Sequence, residues 1–404
     1  MAVSGTTGGI ARWSHAFVAS SAVYLVAWRL AVLLGAPEQT TVLLAVLGFV
    51  CHVAFGMGYL LIPSYFGRVL ETPRTPPIHL ALAVPGAALL SLAPLPDVPS
   101  AAAPIGALVW ALGVAVFLGS LAWTIRDDPF GSETGTAAVR DAHRWTDGYA
   151  NRFVPVALAY LGVGTYASLA RSIPLLGLTD VALPRIAHLL AAGFAALLVL
   201  SLGTRLAPRF LGVPAPRPLV AIVLPAGAVG PALIAMGLGG AGPVFEAGAL
   251  AEATAICGFA ATYAFLFSRS DRRRVGLWGV LFGVVAGVFG VVVGLSFAFS
   301  SITPAGVRAH RALVLSGFLG LSVVGFVFQF FPPSAGRVRW AGDRTAFAAI
   351  GLLALGLSCS VGGFLAGIPA AARIGSLCSL VGAVVYAALL VAVLSGVGPR
   401  RAGE

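Results

Sequence analysis

The chain has 404 residues, of which 59% are hydrophobic and only 10% are charged. Soluble globular domains carry about 25% charged residues, so the composition excludes that class and indicates a membrane protein with many spans. The net charge of +11 comes from 25 basic residues, all of them arginine, against 14 acidic ones. Because most arginines fall between apolar runs, where membrane topology accounts for them, we expect a lipid bilayer and not a nucleic acid as the partner.

Apolar runs predict twelve transmembrane helices in a single membrane domain, residues 1–404, because lipid leaves a spanning segment no other way to pair its backbone. The predicted spans cover residues 14–35, 40–63, 78–95, 101–124, 152–172, 184–207, 218–238, 246–268, 275–298, 306–331, 345–367 and 373–397. The first run is long enough to be a span, so we expect no cleavable signal peptide. The fold class is therefore an all-α polytopic membrane protein.

The distribution of arginines predicts which way the spans run. The two termini and the loops from even-numbered to odd-numbered spans hold 19 arginines, whereas the opposite loops hold five and Arg29 lies within the first span. Cytoplasmic loops carry the excess of basic residues. We therefore expect a multi-pass protein of the cell membrane with both termini in the cytoplasm and a cytoplasmic loop at residues 125–151.

One stretch occurs three times, at Gly48–Arg68, Gly193–Val213 and Gly317–Arg337. Gly-Phe opens each copy, and a proline at the sixteenth position and a glycine at the twentieth fit a helix stop and a tight turn. The prolines and glycines are Pro63, Pro208, Pro332, Gly67, Gly212 and Gly336. The copies fall in spans 2, 6 and 10, so they predict three four-helix repeats, roughly 1–125, 150–268 and 275–397, with pseudo-threefold symmetry.

Ionisable side chains inside the spans are the candidates for chemistry, because burying them in lipid is costly. His52 lies in the middle of span 2, while His188 and His310 lie near the outer ends of spans 6 and 10. Neutral imidazole ligates metals and haem iron, so these three histidines are candidate cofactor ligands, with His188 and His310 as the metal pair. They show no HxxxH spacing, so a structural role stays open. We interpret the histidines at membrane edges or in a loop, among them His79, as structural.

A charge pair is the second candidate feature within the membrane. Arg29 lies in the outer part of span 1 and Glu252 about two turns into span 8. The two could pair with each other, or Glu252 could serve a proton path. A purely structural ion pair is an equal alternative.

Residues Ala309–Arg337 read AHRALVLSGFLGLSVVGFVFQFFPPSAGR. This stretch resembles the tenth helix of the haem–copper oxidase subunit I superfamily, where an A-H-x-H run precedes V-L-S and a later F-P. The resemblance implies that His310 matches the high-spin haem ligand and His188 the sixth-helix copper ligand. The low-spin haem ligand falls on Ala312, and Leu219–Leu238 lacks the two adjacent copper histidines. It therefore implies at most one haem or copper, and not ordinary oxygen reduction.

Gly48–Arg68, GFVCHVAFGMGYLLIPSYFGR, is similar in spacing and in its P-x-x-x-G-R ending to the second helix of the NnrS-type nitric-oxide-response membrane proteins. Those proteins are relatives of subunit I and are reported to bind haem and copper. Leu43 and Leu44 stand where that family has a histidine–glutamate motif. The resemblance implies a role in nitric-oxide or respiratory stress handling, with an unidentified electron donor or partner subunit.

Two other functions are compatible with the same residues. Glycine-rich helices, internal repeats and the candidate pair of Arg29 and Glu252 are also typical of a transporter or permease without a cofactor. Discontinuous helices around a midplane cavity would favour that alternative, whereas a closed bundle of three arcs would favour the first. A degenerate structural member of the family, without any cofactor, is the third interpretation.

Overall fold

The computed structural model is all-helical in the part of the chain that it describes, residues 2–132, 141–173, 176, 181–240, 242–336 and 338–396. Twelve helices there are long and apolar enough to cross a bilayer. They are α1 (Gly9–Leu33), α2 (Glu38–Tyr65), α3 (Thr75–Leu92), α4 (Ala102–Ile125), α5 (His143–Ser172), α6 (Leu183–Leu211), α7 (Arg217–Gly237), α8 (Pro243–Arg269), α9 (Val275–Phe299), α10 (Pro304–Phe330), α11 (Asp343–Ala366) and α12 (Pro369–Ser395). The prediction of an all-α protein with twelve spans is confirmed.

The helices form three units of four, which are unit one (α1–α4), unit two (α5–α8) and unit three (α9–α12). Within each unit the third and fourth helices pair as a hairpin, and the units meet through α4 and α5, α8 and α9, and α12 and α1. Helices α2, α6 and α10 contact one another in the middle. In their most apolar windows 94, 72 and 83% of the residues are buried, against 33–56% in the other nine helices, so these three form the centre of the bundle.

The centre itself is apolar. A gap of about 70 Å³ between α2, α6 and α10 is lined only by alanine, valine, leucine, glycine, methionine and phenylalanine side chains. Among the described residues no titratable side chain lines this gap, so candidate sites for chemistry lie elsewhere, between or within the units.

Each central helix contains a π-helical segment in the same register of the repeat. The segments are Leu44–Cys51, His188–Ala196 and Ala312–Leu321. In each segment the Gly-Phe pair of the repeated stretch lies within the wide turns. A π-helical turn inserted in an α-helix re-aims the side chains beside it and often occurs at functional sites.

Close contacts at these glycines join the first and second helices of each unit. A Cβ on Gly48 would collide with the Tyr24 side chain, and a Cβ on Gly193 would collide with Tyr160 in the same way. The tyrosine hydroxyls then donate to backbone carbonyls of the third helix, Tyr24 to Val84 at 2.5 Å and Tyr160 to Ala228 at 2.6 Å. In unit three the corresponding glycine, Gly317, meets Ala286 instead.

A second set of equivalent contacts joins the hairpins. In each hairpin a glycine of the third helix packs against the backbone of one residue in the fourth helix, so a Cβ there would come within 3.0 Å of that residue's amide nitrogen. The pairs are Gly86 with Trp110, Gly230 with Glu252, and Gly356 with Ser379. Small residues allow helices in lipid to approach closely. These contacts define which positions of α3, α7 and α11, and of α4, α8 and α12, correspond.

The predicted turn follows each central helix, but only two of the three repeat glycines, all of them described, take the left-handed conformation. Gly67 and Gly212 have φ angles of 64° and 72°, the left-handed conformation that glycine favours at a helix end. Gly336 has a φ angle of −68°. There the helix ends earlier, since two consecutive prolines, at 332 and 333, disfavour a helical conformation for the preceding residue.

The segment predicted as a loop, residues 125–151, is partly helical. Residues 133–140 lie outside the described part of the chain, but Asp141–Asn151 forms a helix. A turn at Arg152 and Phe153 separates this helix from Val154–Ser172, so α5 is longer than the apolar run alone. Two of its polar side chains, Asp147 and Asn151, are paired with arginines of α6.

Buried Asp147 is the centre of that pairing. Its carboxylate accepts a hydrogen bond of 2.9 Å from Arg209 and lies 3.5 Å from Nε of Arg205. Arg205 also donates to Asn151 and lies over the ring of Tyr65, 3.9 Å from its centroid. Asn151 in turn donates to the Tyr65 carbonyl at 3.0 Å. The network ties the ends of α2 and α6 to the start of α5, and so joins units one and two.

We expect Asp147→Asn to destabilise the protein strongly. Asp147 is 0% exposed and Arg205 4%, so the substitution leaves a buried guanidinium without its counter-ion. Removing one partner of a buried pair costs about 3–5 kcal/mol. Glu71→Gln is the matched control, because Glu71 pairs with Arg126 at side-chain exposures of 38 and 40%. In detergent, the thermal unfolding midpoint should be much lower for Asp147→Asn than for the wild type and almost unchanged for Glu71→Gln. Equal midpoints for the two variants would contradict a stabilising role of the network.

We also expect Gly356→Ala to destabilise the α11–α12 hairpin, whereas Gly351→Ala in the same helix should not. The new Cβ at Gly356 would lie 2.6 Å from the Gly375 carbonyl oxygen, whereas nothing lies within 4 Å at Gly351. Overpacking costs about 1–3 kcal/mol, and an unobstructed Gly→Ala change in a helix is neutral or stabilising. Unfolding midpoints of the two variants measure the difference, and a loss of stability for both would contradict the packing argument.

Candidate functional site

Two of the three interfaces between units contain cavities that occupy corresponding places in the repeat. Each cavity is bounded by the second, third and fourth helices of one unit and by the first and second helices of the next. Corresponding positions that line the two cavities are Pro184 and Arg308, His188 and Ala312, Glu252 and Ser379, Val291 and Arg29, and His310 and Thr41. The threefold repeat therefore places a cavity at the same position in these two interfaces, and different side chains line it in each.

The cavity between units two and three has a volume of about 310 Å³. His188 of α6, Glu252 of α8 and His310 of α10 line it, and we call it the histidine cavity after these residues. Its other walls are mainly apolar, with Phe245 and Phe318 among them. The structure thus brings together two of the three predicted histidines.

Both histidines of this cavity are held in a defined orientation by the backbone. Nδ1 of His188 lies 2.7 Å from the Pro184 carbonyl oxygen, and Nδ1 of His310 lies 2.8 Å from that of Gly290. A carbonyl can only accept, so each Nδ1 carries a proton and donates it. In the neutral imidazole the other nitrogen, Nε2, is then left with a lone pair, which is how metal-ligating histidines are usually arranged.

Glu252 adds a carboxylate to the same space. Its Oε1 atom is buried and has no hydrogen-bond partner among the residues that the structure describes, and the side chain packs over Gly230, whose Cβ position would be 2.9 Å from its Cγ. Within the described ranges no arginine lines the histidine cavity. An unpaired carboxylate in an apolar membrane site is costly, so this group is suited to meet a proton or a cation there.

The cavity between units three and one is larger, about 490 Å³, and polar. Arg29, Arg308 and Arg311 line it together with Glu38, and we call it the arginine cavity after these four residues. Ala312, where the resemblance placed a missing low-spin haem ligand, also lines it. Sequence reasoning did not find this site, because its arginines lie on two distant helices and its hydroxyl groups look like ordinary helix residues.

The third interface, between units one and two, is filled by a side chain. Trp110 of α4 is fully buried, and its Nε1 donates to Thr165 Oγ1 of α5 at 3.3 Å. Trp110 corresponds to Glu252 and Ser379 in the hairpin contacts. A large indole therefore occupies here the space that remains open at the other two interfaces.

The predicted pair of Arg29 and Glu252 is not brought together. Arg29 lines the arginine cavity and Glu252 the histidine cavity, on opposite sides of unit three. Among the described residues Arg29 forms no ion pair, and its guanidinium lies 3.7 Å from the Trp28 ring centroid. Each of these two groups must therefore be explained within its own cavity.

The third predicted histidine, His52, lies apart from the other two, in the core of unit one. It is 0% exposed, its Nδ1 donates to the Leu47 carbonyl at 2.8 Å, and its Nε2 has no partner in the described part of the chain. Aromatic rings surround it, including Tyr24 with a centroid distance of 5.0 Å. His79 shares this aromatic cluster and is also 0% exposed, near the start of α3. Its Nδ1 lies 3.2 Å from the Tyr59 hydroxyl.

In the part of the chain that the structure describes, no three His, Cys, Asp or Glu side chains are gathered closely enough to enclose a metal ion. The histidine cavity therefore offers two oriented imidazoles and one carboxylate around an open space, and not a closed ligand shell. Such an arrangement suits a metal that keeps open positions or an iron already held by a macrocycle.

Comparison with known proteins adds no family assignment. The sequence matches no family model. It also gives no match among curated proteins. The function therefore has to be argued from the cavities themselves.

Proposed function

We propose that this chain is a membrane protein of the subunit I/NnrS-like kind that binds one transition-metal ion or one haem in the histidine cavity. His310 and His188 are the ligands and Glu252 the nearby carboxylate. The observation that carries the proposal is that both imidazoles donate Nδ1–H to backbone carbonyls and line the same cavity. Fixing the other ring nitrogen in this way is a general property of histidine ligands.

A single copper or iron ion fits the cavity better than a haem does. The volume of about 310 Å³ is at the lower end of ligand pockets, which measure roughly 300–1,000 Å³. A haem macrocycle would have to push the walls apart, whereas an ion needs only the two imidazoles, which suit copper and iron alike. One consideration favours haem, because its iron needs only a single imidazole on one face and His310 alone would supply it.

The remaining residues of the cavity give the bound group its environment. Glu252 would place a negative charge beside the metal and offset part of its positive charge. The mainly apolar walls suit small neutral molecules, which include the nitric oxide that the NnrS resemblance implies as the physiological partner. A metal in this setting would supply ligand binding or electron transfer, and the chain's own contribution would be orientation and charge balance.

The transporter alternative finds less support. It called for discontinuous helices around a midplane cavity, but α2, α6 and α10 run without interruption through their π-helical segments, and the three units close into a ring. The candidate charge pair that supported it lies in two separate cavities. We therefore place the function in the histidine cavity.

Replacing the ligands should abolish binding. We expect the purified wild-type protein, produced with haem, iron and copper supplied, to contain about one metal or haem per chain, and His310→Ala to lose it. His188→Ala should weaken binding by at least the roughly 10–100-fold that follows loss of a ligand's hydrogen-bond partner. Metal analysis and reduced-minus-oxidised absorption spectra measure both. His15→Gln is the control, because His15 packs against Phe331 and does not line the cavity.

The outcome that would contradict the proposal is a wild-type protein without haem or metal after such production. Retention of the full metal content by His310→Ala and His188→Ala would contradict the ligand assignment. If the spectra changed with His52→Ala and with neither of the other two variants, the binding site would lie in unit one.

The charge of Glu252 should matter for a metal cation. Glu252→Gln keeps the size of the side chain but removes the negative charge, so we expect weaker binding of a divalent ion by roughly tenfold, about 1.4 kcal/mol. Glu246→Gln in the first turn of the same helix does not line the cavity and serves as the control. Competition titrations with a chelator measure the metal affinities, and equal affinities for both variants would show that Glu252 does not contribute to the site.

A further inference from the structure

We propose that the arginine cavity is a binding site for a phosphate group, carried either by a free anion or by a lipid headgroup. The site is distinct from the histidine cavity and lies at the interface of units three and one. The inference does not depend on the function proposed for the histidine cavity. It rests on the state of Arg29, on the charge balance of the lining residues and on the hydroxyl groups opposite.

Arg29 is the strongest indication of a ligand. The residue is only 7% exposed, yet its Nε has no hydrogen-bond partner, and no ion pair of its guanidinium is found among the described residues. Its guanidinium packs on the ring of Trp28 on the same helix. Arginines within a membrane almost always pair with acids or carbonyls. A guanidinium that is buried, unpaired and part of a cavity wall is therefore arranged to meet an anion.

The other described charged residues that line the cavity leave no free carboxylate to pair with Arg29. Arg311 Nη1 lies 2.5 Å from Glu38 Oε1, so these two side chains neutralise each other. Arg308 lines the cavity and lies 5.6 Å from the Phe364 ring centroid, but no acid pairs with it in the described part of the chain. Of the described residues that line the cavity, Glu38 alone is acidic. Arg29 and Arg308 thus leave two positive charges uncompensated around one space.

Hydroxyl groups complete a lining that suits a phosphate. Serine residues from three helices line the cavity together with the two arginines; they are Ser316, Ser360, Ser376 and Ser379. Arginine forks and serine hydroxyls together are the usual donors to phosphate oxygens. A volume of about 490 Å³ exceeds what a bare phosphate needs, so the site also has room for the glycerol or alcohol part of an ester.

Comparison of the two equivalent cavities shows that these groups are specific to this interface. In the histidine cavity the position of Arg29 is held by Val291, that of Arg308 by Pro184 and that of Ser360 by Ile234. The shared packing of the repeat therefore does not require an arginine or a serine there. We infer that the polar groups are present for a ligand.

The test uses the full-length protein, solubilised in detergent and stripped of lipid. Equilibrium dialysis against radiolabelled inorganic phosphate measures binding of the free anion. Native mass spectrometry after incubation with phosphatidylglycerol, and separately with phosphatidylcholine, measures retention of an anionic headgroup against a zwitterionic one. The variants are Arg29→Gln and Arg308→Gln, with Arg373→Gln as the control, because Arg373 is exposed on α12 and does not line the cavity.

We expect the wild type and the control to bind alike and each of the other two variants to bind at least roughly tenfold more weakly, since each loses charge-assisted hydrogen bonds. Phosphate binding identifies a free anion as the ligand, and retention of phosphatidylglycerol without phosphate binding identifies a headgroup. If Arg29→Gln does not fold, the exposed Arg308→Gln decides the question. Absence of both kinds of binding in the wild type, or equal binding by all variants, would overturn the proposal.

Discussion

The close packing of the three central helices is the constraint on which the rest of the structure depends. Helices α2, α6 and α10 meet along an axis that leaves a gap of only about 70 Å³, and the side chains there are apolar. Nothing titratable can be placed on that axis without the cost of burying a charge in lipid. The interfaces between units are left as the places where a repeat of this kind can hold polar or ligand-binding groups.

Those interfaces are variations on one arrangement. The same position of the fourth helix carries Trp110, Glu252 or Ser379, and the same position of the first helix carries Thr165, Val291 or Arg29. Large side chains fill one interface, apolar walls with two histidines and a carboxylate form the second, and arginines with serines form the third. Since the backbone contacts are shared, the chemistry of each interface can change without altering the packing that supports it.

Much of the fold could be predicted from sequence because its signals are local. Span lengths follow from apolar runs, and the Gly-Phe repeat identified the central helices because close helix contacts require small residues, as at Gly48 and Gly193. The sequence did not reveal that the three hairpins are equivalent, because Gly86, Gly230 and Gly356 pack against three different residue types. Asp147 looked like a loop residue because its arginine partners are more than 50 residues away in the chain.

The candidate site could be predicted only in part for the same reason. His188 and His310 were found as isolated intramembrane groups, but their shared cavity depends on contributions from five helices. Measuring X-ray absorption at the copper or iron edge of the metal-loaded protein tests that central claim most directly. We expect imidazole nitrogens at about 2 Å from the metal, with fewer of them in His188→Ala. Sulfur ligands, or a wild-type spectrum without imidazole scattering, would contradict it.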